Sequence, residues 1–264
     1  MAIRIGHSAD PDDAFMAWAI EAGQVDLRGL DVELVPSDIQ TLNEWALDGR
    51  LEVTALSAGA YPAVAGRYVL LPHGASFGEG YGPIVVARGD VDLHAVEIVT
   101  PGALTTAKRV LERALGDVRT RDLPFDEVLD EVVSGRAEAG LLIHEGQLTY
   151  ADHGLRKLLD LGIWWRDETG LPLPLGVVVA RRDLDRLADV SAVVREAIDV
   201  GLAHRDEAMR YAIEFGRGID VTTADEFVAM YVNDLTLDMG DRGRAAVAEL
   251  LRRSGAARQA EFVG

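Results

Sequence analysis

The sequence has no cysteine among its 264 residues. Disulfides, thiolate metal sites and cysteine nucleophiles are therefore excluded. Basic residues are also scarce, since 26 Lys and Arg stand against 44 Asp and Glu, which gives a formal net charge of −18. A surface this acidic repels phosphate backbones, so we expect no nucleic-acid partner. An anionic small ligand would need local donors, such as helix N-termini, hydroxyl groups or a few cations.

Long hydrophobic runs are absent as well. No apolar run approaches the about 18 residues that a membrane span needs, so we expect no membrane partner. The N-terminal segment reaches Asp10, Asp12 and Asp13 without a basic stretch followed by an apolar one, which is not typical of a signal peptide. These absences predict a cytoplasmic protein. The oligomeric state is left open, with a homodimer among the options.

Hydrophobic residues make up 48% of the chain and charged residues 27%, values typical of a folded protein with a sizeable core. Apolar patterns and turn residues predict strands that alternate with helices. The expected strands cover residues 3–6, 31–35, 51–56, 84–87, 96–99, 119–123, 139–143 and 177–180. The expected helices cover residues 14–22, 107–115, 125–133, 190–203, 206–215, 223–232 and 241–251, and one more that runs to about residue 47 from a capping box of Ser37 and Gln40.

The chain contains two similar series of these elements. An offset of 86 residues aligns Gly49 with Gly135 and Arg50 with Arg136, each pair lying just before an apolar strand. The series predict two similar α/β domains with a ligand cleft between them, at the carboxyl ends of the strands. Segments 84–88 and 177–182 both contain Ala-Arg after a run of Ile and Val, and we expect them to form two paired crossover strands. Domain I is then residues 1–88 plus 181–264, and domain II is residues 89–180.

Polar residues that follow the predicted strands are the candidates for chemistry. His144 comes directly after an apolar strand, and its imidazole can accept a proton at neutral pH. A structural histidine bonded to a backbone carbonyl is the alternative. Thr105 and Thr106 open a helix, where they can hold a carboxylate or simply cap the helix. Ser57 can donate to ligand oxygens, but no Gly-x-Ser-x-Gly elbow surrounds it, which argues against a serine hydrolase.

Other motifs predict no cofactor. The spacing of His7, Asp10, Asp12 and Asp13 matches no zinc or EF-hand pattern, so we expect these carboxylates to cap a helix and expect no metal. The glycines at 78, 80 and 82 are not followed by a helix, unlike those of a nucleotide-binding fingerprint.

Several motifs, in order along nearly the whole chain, resemble the menaquinone-biosynthesis proteins of the futalosine route, and among them the 1,4-dihydroxy-6-naphthoate synthases. The matching segments are His7–Phe15, Thr41–Leu47, Leu56–Tyr61, Gly80–Arg88, Pro101–Thr106, Gly140–Glu145, Asp160–Trp165, Thr169–Gly176 and Tyr231–Asn233. The resemblance implies the type II periplasmic-binding-protein-like fold. It also implies a carbon–carbon lyase that converts cyclic dehypoxanthine futalosine, a small carboxylate, into 1,4-dihydroxy-6-naphthoate without a cofactor.

The same resemblance implies roles for particular residues. His144 would be the general base, and Ser57, Thr105 and Thr106 would hold the substrate. We also expect Ser8, Asp12 and Asn233, which lie in matching segments, to bind substrate. One segment departs from the family, because Ala9-Asp10-Pro11-Asp12-Asp13 stands where Pro-Cys-Pro-Asn-Asp is common. The alternative hypothesis is a binding protein for small organic acids that has the same fold and no catalytic activity.

Overall fold

The computed structural model describes residues 2–256 and 258–263. The chain divides into two compact units, a first unit of Met1–Phe77 with Pro174–Gly264 and a second unit of Gly78–Leu173. The strands are β1 (Ile3–Ser8), β2 (Val32–Ser37), β3 (Val53–Ser57), β4 (Tyr68–Leu70), β5 (Ser76–Gly78), β6 (Ile84–Ala87), β7 (Glu97–Thr100), β8 (Arg119–Asp122), β9 (Ala139–Leu142), β10 (Arg156–Asp160) and β11 (Leu173–Arg181). The α-helices are α1 (Pro11–Glu21), α2 (Ile39–Asp48), α3 (Tyr61–Val64), α4 (Thr106–Leu115), α5 (Phe125–Val133), α6 (Gly146–Thr149), α7 (Leu161–Thr169), α8 (Leu187–Ala203), α9 (Arg205–Ala212), α10 (Val221–Tyr231), α11 (Asp234–Leu237) and α12 (Gly240–Arg253).

The first unit is built on a sheet with the strand order β2-β1-β3-β11-β4, in which β5 also pairs with β11. Strand β1 is parallel to both β2 and β3, whereas β11 is antiparallel to β3 and β4. Helix α1 packs against α8, α9 and α10. Phe15, Ile198 and Val228 are fully buried in the resulting core, and burial of each such side chain contributes about 1.5–3 kcal/mol.

The second unit is built on a sheet with the strand order β10-β6-β9-β7-β8. Strand β7 is parallel to β8 and β9, and β6 is antiparallel to β9 and β10. Helix α5 packs against β9 and β7, and Val99, Val128 and Val132 are fully buried in the core that these elements share. The amphipathic spacing of the two valines in α5 explains why this face of the helix is turned to the sheet.

The two sheets correspond element by element. In each unit a central strand lies between two parallel neighbours, and an antiparallel strand follows, so that β2-β1-β3-β11 corresponds to β8-β7-β9-β6. The offset of 86 residues aligns Val53, the first residue of β3, with Ala139, the first residue of β9. Gly49 and Gly135 both have left-handed backbones, with φ of 70° and 81°, which glycine adopts without the strain that a Cβ atom brings. The prediction of two similar α/β halves therefore agrees with the topology.

The boundaries of the units differ from those expected. The division falls after Phe77 and after Leu173, whereas the sequence placed it after residues 88 and 180. Strand β6 joins the sheet of the second unit, and β11 joins that of the first unit. The two strands expected to form a paired crossover therefore lie in different sheets. Both are short apolar segments, and which sheet edge each one completes is decided by long-range hydrogen bonding that the local sequence does not encode.

Helix caps explain two smaller differences. Helix α1 begins at Pro11, not at residue 14, because Asp10 accepts from the Asp13 amide and proline suits the first helical position. The cap of α2 is Asp38, not Ser37, since Ser37 is the last residue of β2 and pairs with Ser8 of β1. Within residues 2–256 and 258–263, no helix is long and apolar enough to cross a membrane.

Candidate functional site

The carboxyl ends of β1 and β3 lie side by side in the first unit, because these two strands are parallel neighbours. Ser8 ends β1 and Ser57 ends β3, and both side chains are buried. In sheets of this kind ligands bind beyond the carboxyl ends of the strands. The first unit therefore brings Ser8 and Ser57, two of the residues predicted from the sequence, to an edge suited to a ligand.

The acidic loop, residues 9–13, comprises the turn after β1 and the start of α1, and hydrogen bonds hold it together. The Ser8 backbone N–H donates to Asp13 Oδ2 (2.6 Å), and the Ser8 hydroxyl donates to Asp10 Oδ2 (2.6 Å). Asp10 also caps α1 by accepting from the Asp13 amide (3.3 Å). Asp10 thus serves the capping role that the sequence predicted, whereas the Asp13 carboxylate binds the Ser8 backbone. The Ser8 hydroxyl proton is used within the loop.

Asp12 differs from its acidic neighbours. Its side chain is buried, with 6% of its surface exposed, and its Oδ2 accepts from the Ser76 hydroxyl (3.3 Å). Burial raises the pKa of Asp12 well above the usual range of a carboxyl group, and Asp10 and Asp13 raise it further. A carboxylate without a cation is costly to bury, so the neutral acid is the favoured form of Asp12.

Ser57 is held by a residue that the sequence did not single out for a role. The amide of Asn43, a fully buried residue of α2, donates to Ser57 Oγ (2.9 Å) and accepts from the Ser57 backbone N–H (2.8 Å). Because the N–H can only donate, this pair of bonds defines the orientation of the amide. Ser57 Oγ accepts from Asn43, which leaves its own proton to donate to another group. A polar residue between the buried Leu42 and Ala46 was the available signal for Asn43.

Asn233 is engaged in local structure. It caps α11, where its Oδ1 accepts from the Leu235 amide (3.0 Å) and its Nδ2 donates to the Met230 carbonyl (3.0 Å). The Thr236 hydroxyl closes a capping box on its backbone. The structure therefore accounts for both ends of this amide by capping, and substrate binding by Asn233 stays a prediction.

In the second unit, β7 and β9 are parallel neighbours, so the segments that follow them leave the same edge of the sheet. Thr105 caps α4, since its hydroxyl accepts from the Lys108 amide (3.3 Å) and donates to the Gly102 carbonyl (2.9 Å). Thr106 is the first residue of α4, and both threonines are buried. The structural role considered for Thr105 is thus present. Ligand binding by Thr106 rests on its place at the helix N-terminus.

His144 follows β9 at the same edge and is half-buried. Its backbone is left-handed, with φ of 53°, a conformation that is uncommon for residues with a side chain and is often found at functional sites. Its ring meets the ring of Phe125 edge to face, with centroids 4.8 Å apart. Phe125 begins α5 and was not singled out from the sequence.

A second histidine, His7, is buried near the end of β1. Its Nδ1 lies 2.9 Å from the Ser8 carbonyl oxygen, and among the described residues its Nε2 has no hydrogen-bond partner. Burial lowers the pKa of His7. The neutral ring with its proton on Nδ1 is therefore favoured, and His7 supports the loop without carrying charge.

Comparison with known proteins supports the family that the sequence motifs indicate. A sequence model of the family described as menaquinone biosynthesis matches residues 3–256. The chain belongs to this menaquinone-biosynthesis family. Two curated members are named 1,4-dihydroxy-6-naphthoate synthase. The protein of Thermus thermophilus is 40% identical, and the match covers 94% of this chain and 92% of that protein. The protein of Streptomyces coelicolor is 37% identical, and the match covers 96% of this chain and 93% of that protein. The family resemblance predicted from the sequence is confirmed.

Solved structures support the fold. A crystal structure of a protein from Archaeoglobus fulgidus is 43% identical, with a TM-score of 0.93 and coverage of 97% of each chain. A Candida albicans protein described as having the generic periplasmic binding protein structural fold is 14% identical, with a TM-score of 0.70 over 99% of this chain and 92% of its own. At that identity the likeness concerns the fold alone, and it confirms the predicted periplasmic-binding-protein-like α/β class.

Proposed function

We propose that this chain of the menaquinone-biosynthesis family is a carbon–carbon lyase that converts cyclic dehypoxanthine futalosine into 1,4-dihydroxy-6-naphthoate. The observation that carries the proposal is the similarity to two curated 1,4-dihydroxy-6-naphthoate synthases, at 40% and 37% identity, over more than nine-tenths of each chain. Coverage this complete leaves no large segment of those enzymes without a counterpart here.

His144 is the proposed general base. Its place two residues after β9, at the carboxyl edge of the sheet, supports this role. Its left-handed backbone and its contact with Phe125 also support it, because they restrict the orientation of the imidazole. The imidazole accepts a proton from the substrate, and the electron pair of that C–H bond forms a new double bond as the carbon–carbon bond breaks. The electron pair of the broken bond leaves with the departing fragment, which then takes up a proton. Formation of the aromatic naphthoate favours the products. A general base of this kind contributes about 10²–10⁴-fold to the rate.

Hydroxyl groups and helix N-termini are the proposed partners of the substrate oxygens. Ser57 is suited to this role, since Asn43 holds its oxygen and leaves its proton to donate. Thr106 stands at the start of α4, where the positive end of the helix dipole attracts a carboxylate. For a chain with a net charge of −18, such neutral donors provide attraction that the overall charge does not. The cytoplasmic location and the homodimer stay predictions.

Turnover by purified protein tests the proposal. Cyclic dehypoxanthine futalosine is supplied and release of the naphthoate is followed by chromatography. His144→Asn is the informative variant, because asparagine tolerates a left-handed backbone but cannot accept a proton at neutral pH. We expect the rate to fall by about 10²-fold or more. His153→Ala, which removes an exposed histidine of the same unit, is the matched control and should retain full activity.

The outcomes separate the hypotheses. Undiminished turnover by His144→Asn contradicts the assignment of the base but not the proposed activity. Absence of turnover in the wild-type chain, together with a change in tryptophan fluorescence when the substrate is added, favours the binding protein without catalytic activity. That second candidate is supported by the fold shared with binding proteins such as the alkanesulfonate-binding protein of Xanthomonas axonopodis, which has a TM-score of 0.66.

A further inference from the structure

The acidic loop after β1 contains a buried oxygen atom that the fold leaves without a hydrogen bond. Asp12 Oδ1 is buried and has no hydrogen-bond partner among the described residues, while Oδ2 accepts from Ser76. Asp12 is the second residue of α1 and lies at the carboxyl edge of the first sheet. A buried polar atom left unsatisfied is costly, and such atoms often mark the place of a ligand group.

The surroundings of Asp12 disfavour its negative charge. Asp10 and Asp13 lie in the same loop and both act to raise the pKa of Asp12, as does a hydrogen bond with Asp10. From β5, the neutral hydroxyl of Ser76 donates to Asp12 Oδ2. Arg217, from the segment before α10, donates to the Ala9 carbonyl oxygen (2.7 Å). Burial favours the neutral form of His7, a residue of β1 that precedes this loop.

On the basis of the proposed function, we propose that Asp12 contacts the substrate as a neutral carboxyl group, which shares one proton with Asp10 and presents Oδ1 to the ligand. A neutral Asp12 has nearly the shape of an asparagine side chain, with one acceptor oxygen and with a single O–H donor where the amide has two N–H donors. It satisfies a substrate group without adding a charge. The substrate is a carboxylate, and a second negative charge at this buried position would repel it.

The role predicts how substrate affinity depends on pH. As the pH rises through the raised pKa of Asp12, the Asp10–Asp12 pair loses its shared proton and gains a negative charge. We expect the KM of the wild-type chain for cyclic dehypoxanthine futalosine to rise by about tenfold across this transition, with a smaller change in kcat. The affinity is therefore lost on the alkaline side, opposite to what an ordinary ionised aspartate that binds a cation would show.

Three variants test the role by steady-state kinetics on the full chain. Asp12→Asn cannot ionise and should have a KM that does not rise over the same pH range. Asp12→Ala, which lacks both oxygen atoms, should have a raised KM at every pH, higher than that of Asp12→Asn. Glu21→Gln makes the same change of acid to amide at an exposed position of α1 and should behave like the wild-type chain.

Infrared spectroscopy tests the protonation without substrate or turnover. The wild-type chain at neutral pH should show the carbonyl stretching band of a protonated carboxyl group, and Asp12→Asn should lack it. Absence of the band, or a KM of Asp12→Asn that rises with pH as in the wild-type chain, overturns the proposal. A wild-type chain that shows the band but has no turnover refutes the proposed function, and with it the substrate contact, while the neutral state of Asp12 stands.

Discussion

The hydrogen bonds between Asn43 and Ser57 permit a stability prediction that depends on no ligand. Asn43→Ala removes an amide that makes two bonds, at 2.9 and 2.8 Å, to a serine that is 3% exposed. The Ser57 backbone N–H and hydroxyl are then buried without this partner. A buried group left unsatisfied costs about 1–3 kcal/mol, so we expect the free energy of unfolding of the first unit to fall by about 2–4 kcal/mol.

Ser57→Ala should cost less, about 1–2 kcal/mol, because it removes one bond and retains the bond from the backbone N–H to Asn43 Oδ1. In a chain that already lacks the Ser57 hydroxyl, Asn43→Ala removes only one hydrogen bond to residue 57 and should lower the free energy of unfolding by less. The double variant should therefore be more stable than the sum of the two single changes predicts, by about 1 kcal/mol. A coupling energy of this size is the signature of a direct hydrogen bond between the two side chains.

Urea denaturation of the wild-type chain, the two single variants and the double variant measures these energies, and thermal unfolding supplies an independent check. Glu44→Ala, at an exposed position of α2, is the control and should change stability by less than about 0.5 kcal/mol. If Asn43→Ala is as stable as this control, or if the two single changes simply add, the amide does not hold Ser57 and the reasoning is refuted.

Three further perturbations follow from the structure. The folded chain holds the Asp12 proton more tightly than the unfolded chain, because the pKa of Asp12 is raised on folding. The free energy of unfolding should therefore fall by about 1.4 kcal/mol per pH unit as the pH rises from the ordinary carboxyl pKa to the raised pKa of Asp12. A denaturation series from acid to alkaline pH should show this slope in the wild type and not in Asp12→Asn. Gly162→Ala places a Cβ atom against the Tyr81 carbonyl oxygen and should destabilise the second unit by about 3 kcal/mol in thermal unfolding. Gly89→Ala, whose Cβ atom meets no atom of the described residues within 4 Å, should be harmless. Phe125→Leu removes the ring that contacts His144 and should lower kcat about twofold to tenfold with little change in KM. Phe125→Tyr keeps an aromatic ring and should retain most of the wild-type kcat. Equal kcat values for the wild type and both variants would show that the ring has no positioning role.

Much of the second unit could be predicted from the sequence. Helix α5 was expected at its observed bounds of Phe125–Val133, and the start of α4 was placed within a residue. The expected strand at 139–143 corresponds to β9. These elements have strong local signals, since apolar residues recur at helical or strand spacing, and Ser134 and Gly135 follow the last residue of α5. The same local signals predicted that His144 follows a buried strand.

The chemical state of the candidate site could not be predicted in this way. Asn43 and Ser57 are fourteen residues apart, and nothing in either segment indicates that they bond. Ser76 reaches Asp12 across 64 residues of chain. Asp12 was expected from the sequence as one of several capping carboxylates, yet Asp10 is the cap and Asp12 is buried. Solvent exposure and partners of a side chain depend on packing by distant segments, which local patterns do not describe.

The sequence by itself determined the alternation of strands and helices, the exclusion of cysteine chemistry and the family, because these depend on composition, on short-range periodicity and on motifs read in order. Only the tertiary structure decided which sheet β6 and β11 complete, which carboxyl group caps α1 and which one is buried. These outcomes depend on hydrogen bonds and burial between segments far apart in the chain. The free energy of a backbone edge or a carboxyl group is set by the atoms that surround it, and those atoms come together only when the chain folds.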